Sequence, residues 1–261
     1  MAKIWAISTN KGGVLKTSIT TNLAGVMSRD NKKVLIIDTD NQSDCLLSFG
    51  QNPDLVKTTL YDVLVNDVAA EKAIMKVHKN IDLLPANDEM TFFEFDVLTN
   101  AKKYPNPFML LKNALQSIVA KYDYILIDTP PNLGLTQGNA LSFANSVLIP
   151  FQPENYSMRA LVKIIKAIGD FKEKNNPGLS ILGVVATLVD QRTVLHSEVL
   201  QEAKRYCHEN KIIMFDSFIP RSVRFASSVA YERLPATLTA DIKNPVVARY
   251  FELYKEAKQI E

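Results

Sequence analysis

Ile4-Trp5-Ala6-Ile7-Ser8-Thr9-Asn10-Lys11-Gly12-Gly13-Val14-Leu15-Lys16-Thr17-Ser18 runs from an apolar tetrad, through a loop with two glycines, into a segment where Ile19, Leu23 and Val26 recur at helical spacing. A buried strand, a tight loop and a helix in that order aim backbone N–H groups and the positive end of a helix at the crevice beyond the strand. That arrangement favours phosphate. Lys16 then supplies a point charge for β and γ phosphates, and Thr17 a hydroxyl for Mg²⁺. The strict pattern G-x-x-x-x-G-K-[ST] is broken twice, because Asn10 and Leu15 stand where its two glycines belong. If position 15 requires a positive φ, leucine there costs on the order of 1–2 kcal/mol; if glycine serves only close backbone approach, the cost is small.

Working outward, short apolar runs alternate with longer stretches of helical period, the pattern of βαβ units around a parallel sheet covered on both faces. Strands are predicted at 4–7, 34–37, 81–84, 124–127, 146–149 and 182–188, and helices at 17–28, 107–120, 155–172 and 194–209. The least regular stretch, 87–107, carries Phe92, Phe93, Phe95 and Pro105 and reads as helix-poor. It fits a packed aromatic cluster beneath a loop, or a partner surface. With 261 residues, 47% of them hydrophobic, and no low-complexity linker, one domain is expected. Thirty Lys+Arg against 28 Asp+Glu leave a net charge of +2, which excludes a histone-like tail, an acidic tail and a disordered chain. Cys45 and Cys207 lack a second Cys or a His at ligand spacing, so neither a disulfide framework nor a local zinc or iron–sulfur site is encoded. With no secretory leader pattern and no apolar run near the ~20 residues that span a bilayer, a soluble cytoplasmic protein is expected.

The run from Lys11 to Thr17 resembles the deviant Walker A box, K-G-G-x-G-K-[ST], of the ParA/MinD family of ATPases. Val34-Leu35-Ile36-Ile37-Asp38-Thr39-Asp40-Asn41-Gln42 is similar to that family's second box, hydrophobic-D-x-D-P-Q, with Asn41 for proline and Ser43 for glycine. Tyr122-Asp123-Tyr124-Ile125-Leu126-Ile127-Asp128-Thr129-Pro130-Pro131 resembles its Walker B strand and the proline pair after it. Leu148-Ile149-Pro150 with Gln152 and Glu154, Leu188-Val189-Asp190-Gln191-Arg192, and Ile219-Pro220-Arg221 continue in family order. The resemblance implies an α/β fold in a single domain over 1–261. Its sheet would be mostly parallel and twisted, with helices on both faces, as in a P-loop NTPase of deviant Walker A type. No site-specific DNA-binding extension is expected ahead of it.

Roles carried over from the resemblance fall on particular residues. Lys11, Gly12, Gly13, Val14, Leu15, Lys16, Thr17 and Ser18 form the phosphate loop, and Asp190, Pro220 and Arg221 the base-contacting edge. Thr17, Asp128 and Asp38 are assigned to Mg²⁺, with Asp128 acting through its water shell and Asp38 touching the loop or the outer shell. Asp40, on the same side of the strand as Asp38, orients or deprotonates the attacking water. Lys11 reaches across a dimer interface to the partner's nucleotide. Hydrolysis of the phosphoanhydride needs little covalent work beyond charge neutralisation and alignment, so Lys11, Lys16 and Asp40 are the catalytic set.

The resemblance further implies an ATP-bound homodimer that holds DNA non-specifically and is reset by a ParB-type centromere-binding protein. Membrane-bound relatives of the MinD type carry a short basic amphipathic C-terminal helix. Here Val247, Phe251, Tyr254 and Ala257 form a stripe while Glu252, Glu256 and Glu261 offset Lys255 and Lys258, which reads as a core-docking helix. The first 130 residues carry 14 Lys+Arg and 15 Asp+Glu, the remainder 16 and 13, so the halves differ as −1 against +3. Arg159, Lys163 and Lys166 share a helical face, and Arg192, Arg221 and Arg224 follow strand ends, with Arg221 and Arg224 on the family's I-P-R-x-x-R positions. These are the candidate phosphate contacts for DNA, and they place the protein on the nucleoid. The competing readings are a MinD-like membrane-associated positioning ATPase and a hydrolysis-deficient, nucleotide-dependent DNA-binding module suggested by Leu15.

Overall fold

The computed structural model describes residues 2–190, 192–239 and 241–260. In chain order its elements are β1 (Lys3–Ile7), α1 (Lys16–Arg29), β2 (Val34–Asp38), α2 (Asp44–Leu47), α3 (Leu60–Val65), α4 (Ala70–Ala73), β3 (Met75–His78), β4 (Ile81–Leu84), α5 (Phe93–Thr99), α6 (Leu110–Leu115), β5 (Tyr124–Asp128), α7 (Leu135–Phe143), β6 (Ser146–Phe151), α8 (Ser157–Lys174), β7 (Ser180–Val189), α9 (Val194–Glu209), β8 (Met214–Pro220), α10 (Arg224–Ser227) and α11 (Pro245–Ile260). The strands form one eight-stranded sheet in the order β3-β4-β2-β5-β1-β6-β7-β8. Only β3 runs antiparallel to its neighbour.

The central strands are apolar on both faces because both faces are covered. Ile4 and Ala6 of β1, Leu35 and Ile37 of β2, and Ile125 and Ile127 of β5 join one core with residues of α3, α5, α6, α7 and α8. Their alternates Trp5, Ile7, Val34, Ile36, Tyr124 and Leu126 join a second core with α1, α2 and α11. Period-two alternation between two buried faces erases the polar–apolar signal and leaves continuous hydrophobic runs, which is how these strands were recognisable.

All six predicted strands are present. β3 and β8, the sheet edges, were not predicted, since half-exposed strands interrupt their apolar residues with Lys76, Asp216 and Ser217. The helix expected over 107–120 is broken: a 3₁₀ turn at Pro107–Met109 leads into α6, and a second at Val119–Lys121 follows the turn that buries Ile118. For 87–107, the helix-poor reading and the packed aromatic cluster are corrected. α5 forms there, and only Phe93 of the three phenylalanines is buried, while Phe92 and Phe95 are 60% and 68% exposed. The final helix docks as expected, burying Val247, Tyr250, Leu253, Tyr254 and Ala257; Glu261 lies outside the described residues.

Two contacts fix α1, the helix behind the phosphate loop. Tyr250 of α11 places its hydroxyl 3.0 Å from Ser18 Oγ. Further along the same face, Thr237 Oγ1 donates to the Asn22 carbonyl at 2.8 Å, and Arg29 donates to the carbonyls of Thr237 and Thr239 at 2.6 and 2.8 Å. Gly25 permits that approach, because a Cβ there would overlap Thr237 Oγ1 and crowd Leu238. Gly25→Ala improves helix propensity by up to about 1 kcal/mol, yet overpacking costs about 1–3 kcal/mol. We expect net destabilisation on the order of 1–2 kcal/mol in urea unfolding; a stabilised variant would show that this contact yields freely.

Candidate nucleotide-binding site

The parallel register sets Ile7 and Asp38 both opposite Asp128, so the ends of β1, β5 and β2 stand at one level. Asp38 and Asp128 are 0% and 1% exposed. Asp128 accepts from Thr17 Oγ1 at 2.6 Å through Oδ2 and from Thr20 Oγ1 at 3.2 Å through Oδ1. Asp38 accepts the backbone N–H of Asp40 at 3.1 Å and that of Cys45 at 3.0 Å. Its carboxylate therefore shapes the loop after β2. Asp40 is half-buried, and its Oδ1 accepts the N–H of Gln42 at 3.2 Å.

Burial raises the carboxyl of Asp38 well above its ordinary range, and the neighbouring charge of Asp128 raises it further. Burial also pushes Asp128 up to about 6, against the opposing effects of the Thr17 hydrogen bond and the Lys16 charge. Lys16 is lowered, chiefly by its own burial, with Asp128 and Asp40 pulling the other way. Its ammonium lies 3.3 Å from the Lys11 carbonyl, which folds it under the loop. Sequence reasoning missed Cys45, whose Sγ stands 3.5 Å from Asp128 Oδ2 and whose thiol is raised by burial and by both carboxylates. Asp38, Cys45 and Asp128 bring their ligating atoms within 4.8 Å of one another.

The phosphate loop carries the strain that its sequence departures imply. Leu15 caps α1 at φ 68°, ψ 26°, in the left-handed region, with no side-chain cap, and Gly13 lies at φ 70°. The alternative of mere backbone approach at position 15 is thus excluded, and leucine bears on the order of 1–2 kcal/mol. Ser43, Tyr156 and Leu188, on loops or strand ends at the same edge of the sheet, are left-handed as well. Asn10 Oδ1 is buried without a partner. A helix start without a side-chain cap and hard oxygen ligands from Thr17 and Asp128 fit a phosphate chain with Mg²⁺.

Other predicted residues are distributed as follows. Gly12, Val14 and Ser18 lie in the loop and the first turn of α1. Lys11 is held within the chain, 3.0 Å from Glu154 Oε2 and 3.2 Å from Ser157 Oγ. Asp190 and Pro220-Arg221 meet at adjacent strand ends, with Val189 paired to Pro220 and the Arg221 N–H donating to the Val189 carbonyl at 3.2 Å. Gln191 lies outside the described residues. Arg192 grips Asp190 through Nε and a terminal nitrogen at 2.9 and 2.8 Å, which lowers the Asp190 carboxyl. Lys163 and Lys166 are exposed on α8, and Arg221 is exposed with one terminal nitrogen 4.0 Å from Glu154. Arg224 is 21% exposed and held by Glu232 at 2.6 Å, Asp241 at 3.2 Å and Thr239 at 3.0 Å. Its guanidinium pins the segment after β8 and is not presented as a free cation.

Comparison with known proteins gives a consistent picture. A family model described as an AAA domain matches residues 2–181. A ParA family protein of Mycoplasma pneumoniae is 33% identical over 259 residues, covering 95% of this chain and 94% of its own. The sporulation initiation inhibitor protein Soj of Bacillus subtilis is 32% identical over 257 residues, with 98% of each chain covered. A solved structure described as cobyrinic acid a,c-diamide synthase from Mycobacterium smegmatis, with bound ATP analogue and magnesium, matches with a TM-score of 0.82 at 28% identity, over 98% of this chain and 93% of that one.

The raised carboxyls have a measurable consequence. A folded pKa above the unfolded value means that the native state holds its proton more tightly, so stability falls as pH rises from about 4 through about 6. Asp128→Asn, which keeps an acceptor for Thr17 but no charge, should stabilise the nucleotide-free, metal-free protein at pH 8 by on the order of 2–3 kcal/mol and leave it unchanged near pH 3.5. Urea unfolding at the two pH values checks this; equal effects at both would contradict it.

Proposed function

Because this chain belongs to the ParA family of ATPases, we propose that it is an ATP-driven DNA segregation ATPase. Two protomers sandwich two ATP molecules, the dimer holds DNA without sequence preference, and partner-stimulated hydrolysis resets it. The observation that carries this reading is the meeting of Lys16, Thr17, Asp40 and Asp128 at one edge of the sheet, around a helix start whose N-cap residue, Leu15, offers no side-chain cap.

The chain's own residues suit each step. Backbone N–H groups from Gly12 to Ser18 and the Lys16 ammonium bind the β and γ phosphates. Thr17 and Asp128 hold Mg²⁺, with Asp38 behind them; the ion supplies neutralisation of charge on the β and γ oxygens. The Asp40 carboxylate, fixed by its turn onto Gln42, aligns or deprotonates the attacking water. Lys11 leaves Glu154 and Ser157 to reach the partner's nucleotide. Asp190, Pro220 and Arg221 border the base. Exchange of the γ phosphate for water removes what joins the protomers, which makes dimerisation a switch. Leu15 leaves every charged member of this set in place, so we favour retained though slow hydrolysis over a binding-only module.

For DNA, Arg221, Lys163 and Lys166 offer exposed cations, and Arg192 a partly neutralised one. A ParB-type DNA-bound protein is the proposed partner. No helix among the described residues is long and apolar enough to cross a membrane, and α11 spends its apolar stripe on the core, which supports the nucleoid over a membrane surface as the site of action.

Lys16→Ala should lose nucleotide binding in a fluorescent-ATP titration. Asp40→Ala should still bind ATP and dimerise by light scattering while its turnover drops at least about 100-fold; normal turnover in that variant rejects the role of Asp40. Lys163→Glu combined with Lys166→Glu should abolish DNA retention at physiological salt and flatten the slope of log affinity against log salt by about 0.9 per lost phosphate contact, with dimerisation intact. Unchanged retention would remove these residues from the DNA surface.

A further inference from the structure

Cys45, in the first turn of α2, bridges the two buried carboxylates of the phosphate site. Its N–H donates to Asp38 Oδ2 at 3.0 Å, and its Sγ stands 3.5 Å from Asp128 Oδ2. The turn that brings it there is fixed from outside, because Ser43, left-handed at φ 52°, donates its hydroxyl to the Ala86 carbonyl at 2.9 Å. One ligating atom from each of Asp38, Cys45 and Asp128 lies within 4.8 Å of the other two, and all three residues are at most 1% exposed. They come from the end of β2, the start of α2 and the end of β5. Tertiary folding thus gathers a mixed donor set that the spacing of the cysteines does not announce.

The geometry of this set suits a small tetrahedral ion. Zinc holds a thiolate sulfur at about 2.3 Å and a carboxylate oxygen at about 2.1 Å, which at the tetrahedral angle separates sulfur from oxygen by about 3.6 Å. The Cys45–Asp128 contact spans 3.5 Å, so an ion entering in place of the thiol proton needs little movement of either atom. Asp38, up to 4.8 Å away, has further to come. Such an ion sits in the hole among donors already in contact and requires no open cavity. Charge closes as well. Two carboxylates and a thiolate carry three negative charges, a divalent ion leaves one, and the nearby Lys16 ammonium supplies its counterpart. A cluster this deeply buried is tolerable only near neutrality. Sulfur also decides which ion enters: Mg²⁺ takes hard oxygens and keeps its waters, whereas a thiolate selects zinc and ions like it.

We propose that Asp38, Cys45 and Asp128 form a binding site for a thiophilic divalent cation of the zinc class in the nucleotide-free chain, with Cys45 as the ligand that sets the selectivity. The Cys45 thiol gives its proton to solvent as the bond from Sγ to the metal forms. A fourth position is left for water. The inference rests on the metal-holding half of the proposed function, the pairing of Asp38 with Asp128 at a divalent ion, and adds a sulfur ligand to it.

The probe is Co²⁺, which takes zinc sites and reports its ligands optically, titrated into the nucleotide-free full chain in thiol-free buffer. One equivalent should give a sulfur-to-cobalt charge-transfer band in the near ultraviolet together with the intense visible bands of a four-coordinate centre. One equivalent of Zn²⁺ should remove both, and about a thousandfold excess of Mg²⁺ should remove neither. Cys45→Ala should lose the charge-transfer band and weaken Zn²⁺ binding at least about 100-fold, whereas Cys207→Ser should keep both. The wild-type spectrum decides even if Cys45→Ala folds poorly. No saturable binding, or cobalt bound with only the weak visible bands of an all-oxygen octahedral site, overturns the proposal. So does a charge-transfer band that survives in Cys45→Ala or vanishes in Cys207→Ser. A chain that shows this spectrum but fails to bind fluorescent ATP keeps the sulfur ligand and rejects the nucleotide reading; one that binds ATP with Mg²⁺ and lacks the spectrum rejects the sulfur ligand alone.

Discussion

Asp38 and Asp128 lie side by side at the ends of neighbouring parallel strands, fully removed from water, and the rest of the structure answers to that pairing. Two carboxylates so placed cannot both carry charge cheaply unless donors and cations surround them. Thr17 and Thr20 of α1, two backbone N–H groups after β2, and the buried ammonium of Lys16 all converge there. The sheet order makes this possible, because β5 is inserted between β1 and β2 and so brings the loops after all three strands to one point. Without a bound cation, burial favours the protonated form of both carboxyls. That electrostatic deficit is what a metal and a phosphate chain together would resolve.

Stability is spent at the same edge. Leu15, Ser43, Tyr156 and Leu188 each hold a left-handed backbone without being glycine, at about 1–3 kcal/mol apiece. Against this stand the two cores on either face of the sheet and the seating of one face of α1 on α11 and on the turn at Ala236–Leu238. Strain gathered at loops and solid packing behind them is the usual division in proteins whose loops must change state.

Much of this was legible in the sequence, for identifiable reasons. β1, β2 and β5 are buried on both faces, so their residues form unbroken apolar runs, and the acids Asp38 and Asp128 mark where those runs end. The edge strands β3 and β8 carry mixed residues and left no such run. The pairing of Arg224 with Glu232 and Asp241 left no trace in the sequence, because those acids lie 8 and 17 residues on, in segments with no periodicity to place them. The approach of Lys11 to Glu154 spans 143 residues and is set by tertiary folding alone. Cys45 gave no signal, since its one-residue distance from a helix start says nothing of the two carboxylates above it. α5 was hidden because its exposed phenylalanines masquerade as core in any count of apolar residues.

Leu15 has a further, genetic consequence. Its backbone conformation is one that glycine, asparagine and aspartate occupy most readily, and histidine to a lesser degree. No leucine codon reaches glycine, asparagine or aspartate by a single base change. Most one-step replacements at this position exchange one ill-suited side chain for another, among them proline and the β-branched valine and isoleucine, which fit a positive φ still worse. A return to glycine at this position therefore takes two base changes, and histidine is the one single-step replacement suited to the backbone conformation that Leu15 holds.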